Sequence, residues 1–130
     1  MSLLLDTHVL IWWFDDSRRI GSRTRATLSQ RTASIWVSAV SLWEISIKTG
    51  LGRLKLKKTL EESIASLLER GVQPLPIDFH HAFAVGRLPL HHADPFDRLL
   101  IAQAQCEGLT LVTVDPQVMA YDVPTLDASL

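Results

Sequence analysis

LLLDTHVLIWWF, residues 3–14, opens the chain with a short unbroken apolar run that stops at an aspartate. A strand with one wet face alternates apolar and polar residues. A strand that stays apolar to its end is buried on both faces, as in a parallel sheet covered by helices. Leu3-Leu4-Leu5 therefore reads as an inner strand with Asp6 at its carboxyl end. Period alone does not say where strand gives way to helix in THVLIWWF. Trp12 and Trp13 read as core side chains rather than a binding platform.

The pattern recurs along the chain. SIWVS (34–38) is rich in β-formers and reads as a second buried strand, and LTLVTVD (109–115) as a third that again ends in an acid. VQPLPI (72–77) has the prolines of a strand edge, and VPTL (123–126) adds a possible edge near the end. Helical patterns lie between them. SRTRATLSQR (22–31) is polar, with Ser22 as its cap. AVSLWEISIKTG (39–50) ends near Gly50, places Leu42, Ile45 and Thr49 on one stripe, and sets Glu44 four residues before Lys48. LEESIASLLERG (60–71) stops at Gly71, FHHAFAVGR (79–87) follows, and PFDRLLIAQAQCEG (95–108) closes at Gly108. LGRLKLKK (51–58) is a basic connection. Strands alternating with helices predict an α/β fold, a mostly parallel sheet flanked by helices.

The 130 residues fit one domain, 1–130, with a globular composition of 47% hydrophobic and 21% charged residues. The lone Cys106, set in an apolar helical pattern, excludes a disulfide framework and a Cys-rich zinc site, and suits a reducing, cytoplasmic setting. The opening apolar run is interrupted by Asp6 and His8 and preceded by no basic residue. It reads poorly as a signal peptide and is too short to span a membrane.

The net charge of −1 conceals a polar distribution. Residues 18–58 hold ten of the thirteen Lys and Arg against one acid, Glu44, a balance of +9, and the remainder carries −10. Such a segment is either the solvated face of helices or a basic surface for a polyanion. Arg53, Lys55, Lys57 and Lys58 are the residues best placed to contact such a polyanion, with Arg23 and Arg25 as weaker candidates.

In an open parallel sheet the ligand site lies beyond the carboxyl ends of the strands. Asp6 and Asp115 end two strands there. Glu44 lies within two turns of the end of SIWVS, and Asp97 in the first turn of the 95–108 helix. Four carboxylates from four places thus converge on one edge. Asp94 before Pro95 makes a good helix N-cap, with Asp97 as the acidic arm of a capping box. Carboxylates crowded without a cation repel. An oxygen-only set with neither Cys nor an obligatory His suits Mg²⁺ or Mn²⁺. Beside a basic stretch, that describes a metal-dependent nuclease.

LLLDTHVLIWW, VSAVSLWEISIKTGLGRL (37–54), HHADPFDRLLIAQA (91–104) and LTLVTVD, in this order, resemble the PIN-domain ribonucleases, and among them the VapC-type toxins of bacterial toxin–antitoxin pairs. The resemblance covers nearly the whole chain. It implies a PIN-like fold and four acids, Asp6, Glu44, Asp97 and Asp115, that bind Mg²⁺ or Mn²⁺ and orient the hydrolytic water. It also implies that Thr113 lines the site, that RNA is the substrate, with Arg53, Lys55, Lys57 and Lys58 as its RNA-binding residues, and that a VapB-like antitoxin and a second copy of the chain are partners. By position Asp97 matches the family's third acid, so Asp94 stays an N-cap with a supporting place at the site. His92 stands where relatives often carry His, as a loop residue bonding backbone or as a phosphate contact. His8, His80, His81 and His91 have no assigned role. Arg98 and Lys48 either touch phosphate or pair with Asp97 and Glu44. Ser38 and Ser41 read as turn or cap groups.

Two other Mg²⁺-dependent readings fail on spacing. A phosphoaspartyl phosphatase needs an acid two residues after the first, where this chain has His8. A receiver domain needs an acidic pair at the end of its first strand, and Asp15-Asp16 lie beyond it. The remaining alternative is a PIN fold that binds RNA or protein without catalysis. Four acids kept together at a cost in stability argue against it.

Overall fold

The computed structural model describes all 130 residues. Three fully buried leucines, Leu3, Leu4 and Leu5, build its centre in β1 (Ser2–Leu5). Leu3 and Leu5 face one apolar core, with Val37 of β2 (Ser34–Ser38) and Val112 of β4 (Thr110–Thr113). Leu4 faces the other, with Leu111. Alternation across a pleated strand sends neighbours to opposite faces, so an unbroken run fills both cores at once. Burying each such side chain contributes about 1.5–3 kcal/mol.

The sheet has five strands in the order β3-β2-β1-β4-β5, every adjacent pair parallel, with β3 (Gln73–Leu75) and β5 (Thr125–Asp127) at the edges. Pro74 is tolerated because β3 has only one neighbour to bond. The first core takes side chains from α1 (Thr7–Phe14), α2 (Ser22–Leu28), α3 (Ala39–Gly50) and α4 (Leu60–Glu69). The second takes them from α3, α6 (Pro95–Glu107) and α7 (Pro116–Met119). Helix α5 (Phe79–Val85) packs on α6. No helix is long and apolar enough to cross a membrane.

The expected α/β architecture is present, with local corrections. Helix α7 was not foreseen, because its four residues show no period. Ser22 is not the cap of α2. Gly21 is, and the Leu130 carbonyl accepts the Arg23 and Thr24 N–H groups at 3.0 and 3.1 Å. Helix α3 runs to Gly50, and the left-handed turn that follows falls at Gly52. Trp12 and Trp13 are half-buried, packed on the core by one side and met by Arg19 and Arg70 on the other. Cys106 is exposed.

Buried His81 and Gln103 crosslink the second layer. Gln103 accepts from the Ser38 hydroxyl and donates to the Pro76 carbonyl at 3.2 Å, and His81 Nε2 meets Glu107 at 3.1 Å. Ser38 also caps α3 through the Val40 N–H.

Among the glycines, Gly21 is the one pressed against another stretch of main chain. A Cβ there would lie 2.1 Å from the Leu130 carbonyl oxygen and 2.4 Å from that of Ser129. Both obstacles are backbone and cannot swing aside. Gly21→Ala is expected to destabilise the fold by about 2 kcal/mol, read as a lower urea midpoint with an unchanged slope. An unchanged midpoint would show that the 128–130 segment yields freely.

Candidate active site

Strand order reverses between β1 and β4. From β1 the chain moves outward through β2 and β3, then returns to β4 on the other side. A crevice at the carboxyl ends of the strands forms at such a switch point. Asp6 stands directly after β1, and Thr113 and Asp115 end and follow β4. The Asp6 N–H donates to the Val112 carbonyl at 2.9 Å, which locks the two strand ends together.

Asp6 occupies the N-cap position of α1, yet its carboxylate accepts no capping hydrogen bond. It turns inward instead, where Thr113 Oγ1 donates to Oδ2 at 2.6 Å and Oδ1 is buried with no partner. Glu44, 2% exposed, projects from the first half of α3. Lys48 Nζ lies 2.7 Å from its Oε2, and Oε1 is likewise buried and unpartnered. Thr7 donates to Ser41 at 2.9 Å and ties α1 to α3 beside these acids.

Asp94 caps α6 as the sequence predicts, accepting from the Phe96 and Asp97 N–H groups at 2.8 and 3.1 Å. The capping box does not form. The Asp94 N–H goes to His92 Nδ1 at 3.3 Å, which frees the Asp97 carboxylate for the site. His92 Nε2 lies 2.9 Å from Asp97 and 3.0 Å from Asp115. Because Nδ1 accepts, the neutral ring carries its proton on Nε2 and donates toward the two carboxylates. Asp115 uses its other oxygen to cap α7 through the Gln117 N–H at 2.9 Å, and its own N–H donates to Thr113 Oγ1.

All four predicted acids and Thr113 therefore lie at one edge. His92 bonds backbone as expected, through the Asp94 N–H, and also contacts Asp97 and Asp115, which the sequence did not foresee. Arg98 does not pair with Asp97. Its guanidinium donates to the carbonyls of Val85, Leu88 and Pro89 and to the Tyr121 hydroxyl. That hydroxyl accepts the His91 and His92 N–H groups. Arg98 and Tyr121 thus shape the loop that presents His92. Tyr121 was missed because it lies outside every motif. Arg25 is occupied structurally, by Asp16 and the carbonyls of Ile20 and Ser17. Of the basic four, Arg53 and Lys57 line a groove that reaches Lys48, and Lys55 and Lys58 lie outside it.

The electrostatics record the crowding. Burial pushes the Asp97 carboxyl up to about 7; Asp6, Asp94 and Glu44 add to the rise and His92 opposes it. Burial also raises Asp6, with Glu44 adding and Thr113 and His8 opposing. A site built only for stability would pair these oxygens. Buried, unpartnered carboxylate oxygens on Asp6 and Glu44 are the kind of donor a hard divalent cation takes, and nearby Asp97, Asp115 and His92 offer ligand atoms within 4.8 Å of one another.

Similarity to known proteins agrees with this geometry. The profile of the PIN domain matches residues 3–124. This chain belongs to the PIN domain family. Ribonuclease VapC22 of Mycobacterium tuberculosis is 28% identical over 124 residues, covering 95% of this PIN domain and 94% of that protein. VapBC2 from Rickettsia felis, solved bound to a DNA fragment from its promoter, matches with a TM-score of 0.71 at 18% identity, over 97% of this chain and 98% of that one. VapBC-5 from M. tuberculosis, of the VapBC family of toxin–antitoxin systems, matches with a TM-score of 0.59 at 21% identity, over 93% and 90%. At these identities the structural likeness is one of fold.

The raised Asp97 carboxyl has a thermodynamic sign. Between about pH 4 and 7 the folded PIN domain holds a proton that the unfolded chain has released, so this group stabilises the fold as pH falls from 8 toward 5. In EDTA, Asp97→Asn should melt several degrees above wild type at pH 8, with the gap closing by pH 5. A gap independent of pH would refute the crowding.

Proposed function

We propose that this PIN domain is an Mg²⁺- or Mn²⁺-dependent endoribonuclease of the VapC kind, a toxin that a VapB-like antitoxin neutralises. The observation that carries the reading is the pair of buried, unpartnered oxygens on Asp6 and Glu44 beside Asp97. Similarity to a protein named as a ribonuclease supports the substrate, and similarity to a toxin–antitoxin system supports the antitoxin.

Asp6, Glu44 and Asp97 would hold the ion, with Asp115 beside them. When bound, it supplies Lewis acidity toward the phosphodiester and makes a bound water more acidic. The protein's own part is placement. Thr113 fixes one oxygen of Asp6 and leaves the other free. Lys48 neutralises one oxygen of Glu44. His92 orients Asp97 and Asp115 through one ring proton, and Arg98 with Tyr121 holds the loop that carries it. A cation held by Asp97 would have to displace the proton that this carboxyl holds near neutrality, so metal affinity would fall as pH drops below about 7.

Asp97→Asn keeps the volume and removes the charge, and should abolish cleavage of single-stranded RNA in Mg²⁺ or Mn²⁺. Asp94→Asn should retain roughly a third or more of the rate, because Asn caps about as well as Asp. Full loss at Asp94 would exchange the two roles. Wild-type protein that binds RNA but cleaves none with either metal would favour the binding-module reading.

A further inference from the structure

An open groove of about 600 Å³ is lined by His8, Trp12, Arg19, Lys48, Arg53 and Lys57 among others. These residues come from four places: α1, the loop before α2, the end of α3 and the loop after it. Four cations face one acid in the groove, Asp15. Its inner end abuts the acid cluster at two points. Lys48 is paired with Glu44 at 2.7 Å, and His8 follows Asp6 by two residues in the first turn of α1. On its wall the Arg19 guanidinium lies over the Trp12 ring, 5.7 Å from its centroid, and the His8 ring stands 6.4 Å from the same ring, tilted by 50°.

Taking the ribonuclease reading above as its basis, we infer that this groove is the path by which a single strand of RNA enters the acid cluster. Lys48, Arg53 and Lys57 meet its phosphates, and an unpaired base stacks on the outer side of the Arg19 guanidinium, which the Trp12 ring backs. The chemistry selects that ligand over others. An acidic centre repels a polyanion, so the strand needs a cationic approach that begins where the acids end, and Lys48 marks that border. A guanidinium plane held on an indole accepts the π-face of any base, and only unpaired bases offer one. A double helix hides those faces. An acidic protein segment would use the cations and leave the aromatic face unused.

The test compares two variants of equal charge change, Arg53→Gln/Lys57→Gln within the groove and Lys55→Gln/Lys58→Gln outside it. A labelled oligouridine and a duplex RNA of equal length are titrated in EDTA, where nothing is cut, over a range of salt. The groove variant should bind the single strand at least about tenfold more weakly, with the salt slope reduced by about 1.4, two contacts at about 0.7 each. The outside variant should change far less. Trp12→Leu should weaken binding with an unchanged slope, and Trp12→Phe should restore part of it. A circular dichroism melt shows that each variant is folded. With Mg²⁺ or Mn²⁺, the groove variant should raise KM and leave kcat near wild type. Equal losses in both double variants, or duplex bound as well as single strand, would overturn the inference. So would a groove variant that loses affinity for polyglutamate alone, which would reassign the groove to a protein partner. If wild type neither binds nor cleaves RNA, the ribonuclease reading itself fails. If it cleaves and the groove variant matches it in affinity and slope, only the groove assignment falls.

Discussion

The carboxyl groups of Asp6, Glu44 and Asp97 repel one another in a space that water reaches poorly, and the packing of β1 between β2 and β4 is what keeps them there. Asp6 cannot retreat, because its N–H is committed to Val112 and the leucines before it fill both cores. Glu44 is carried on a helix whose first turn is anchored by Ser38 and whose neighbours Val40 and Ile45 lie one in each core. Asp97 is set by the cap at Asp94 and by the apolar face of α6. Strain of this kind persists only where surrounding structure over-determines it.

Partial neutralisation shapes the rest of the site. Thr113, Lys48 and His92 each satisfy part of the acid set, and none satisfies all of it. What remains open is the pair of buried oxygens on Asp6 and Glu44. The donors therefore orient the acids without satisfying every oxygen, unlike a buried salt-bridge network in which each charge is paired.

Helix starts serve two purposes in this chain. Aspartates stand at the N-caps of α1, α5, α6 and α7. Asp78 and Asp94 cap, Asp115 caps with one oxygen and faces His92 with the other, and Asp6 does not cap at all. The same residue type at the same local position is structural, shared or functional according to what the tertiary fold places opposite it.

Strand and helix placement was legible because it follows from interactions within a few residues: apolar period, caps, glycine and proline. The acids were legible because strand ends and first turns of parallel α/β units point to one edge, and the family resemblance ordered them. Ser22 failed as a cap because the groups that close α2 come from the other end of the chain. The capping box at Asp97 failed because His92 competes for the Asp94 N–H. Tyr121 and Arg98 act through contacts between segments whose spacing carries no motif. The basic stretch 51–58 was visible as charge, yet only the fold separated Arg53 and Lys57, which face the groove with Arg19 and Trp12, from Lys55 and Lys58, which do not. Sequence determined which groups this protein owns and which elements carry them. Tertiary structure decided which carboxylate oxygens stay unpaired and which cations share a groove, because those depend on distances between residues far apart in the chain.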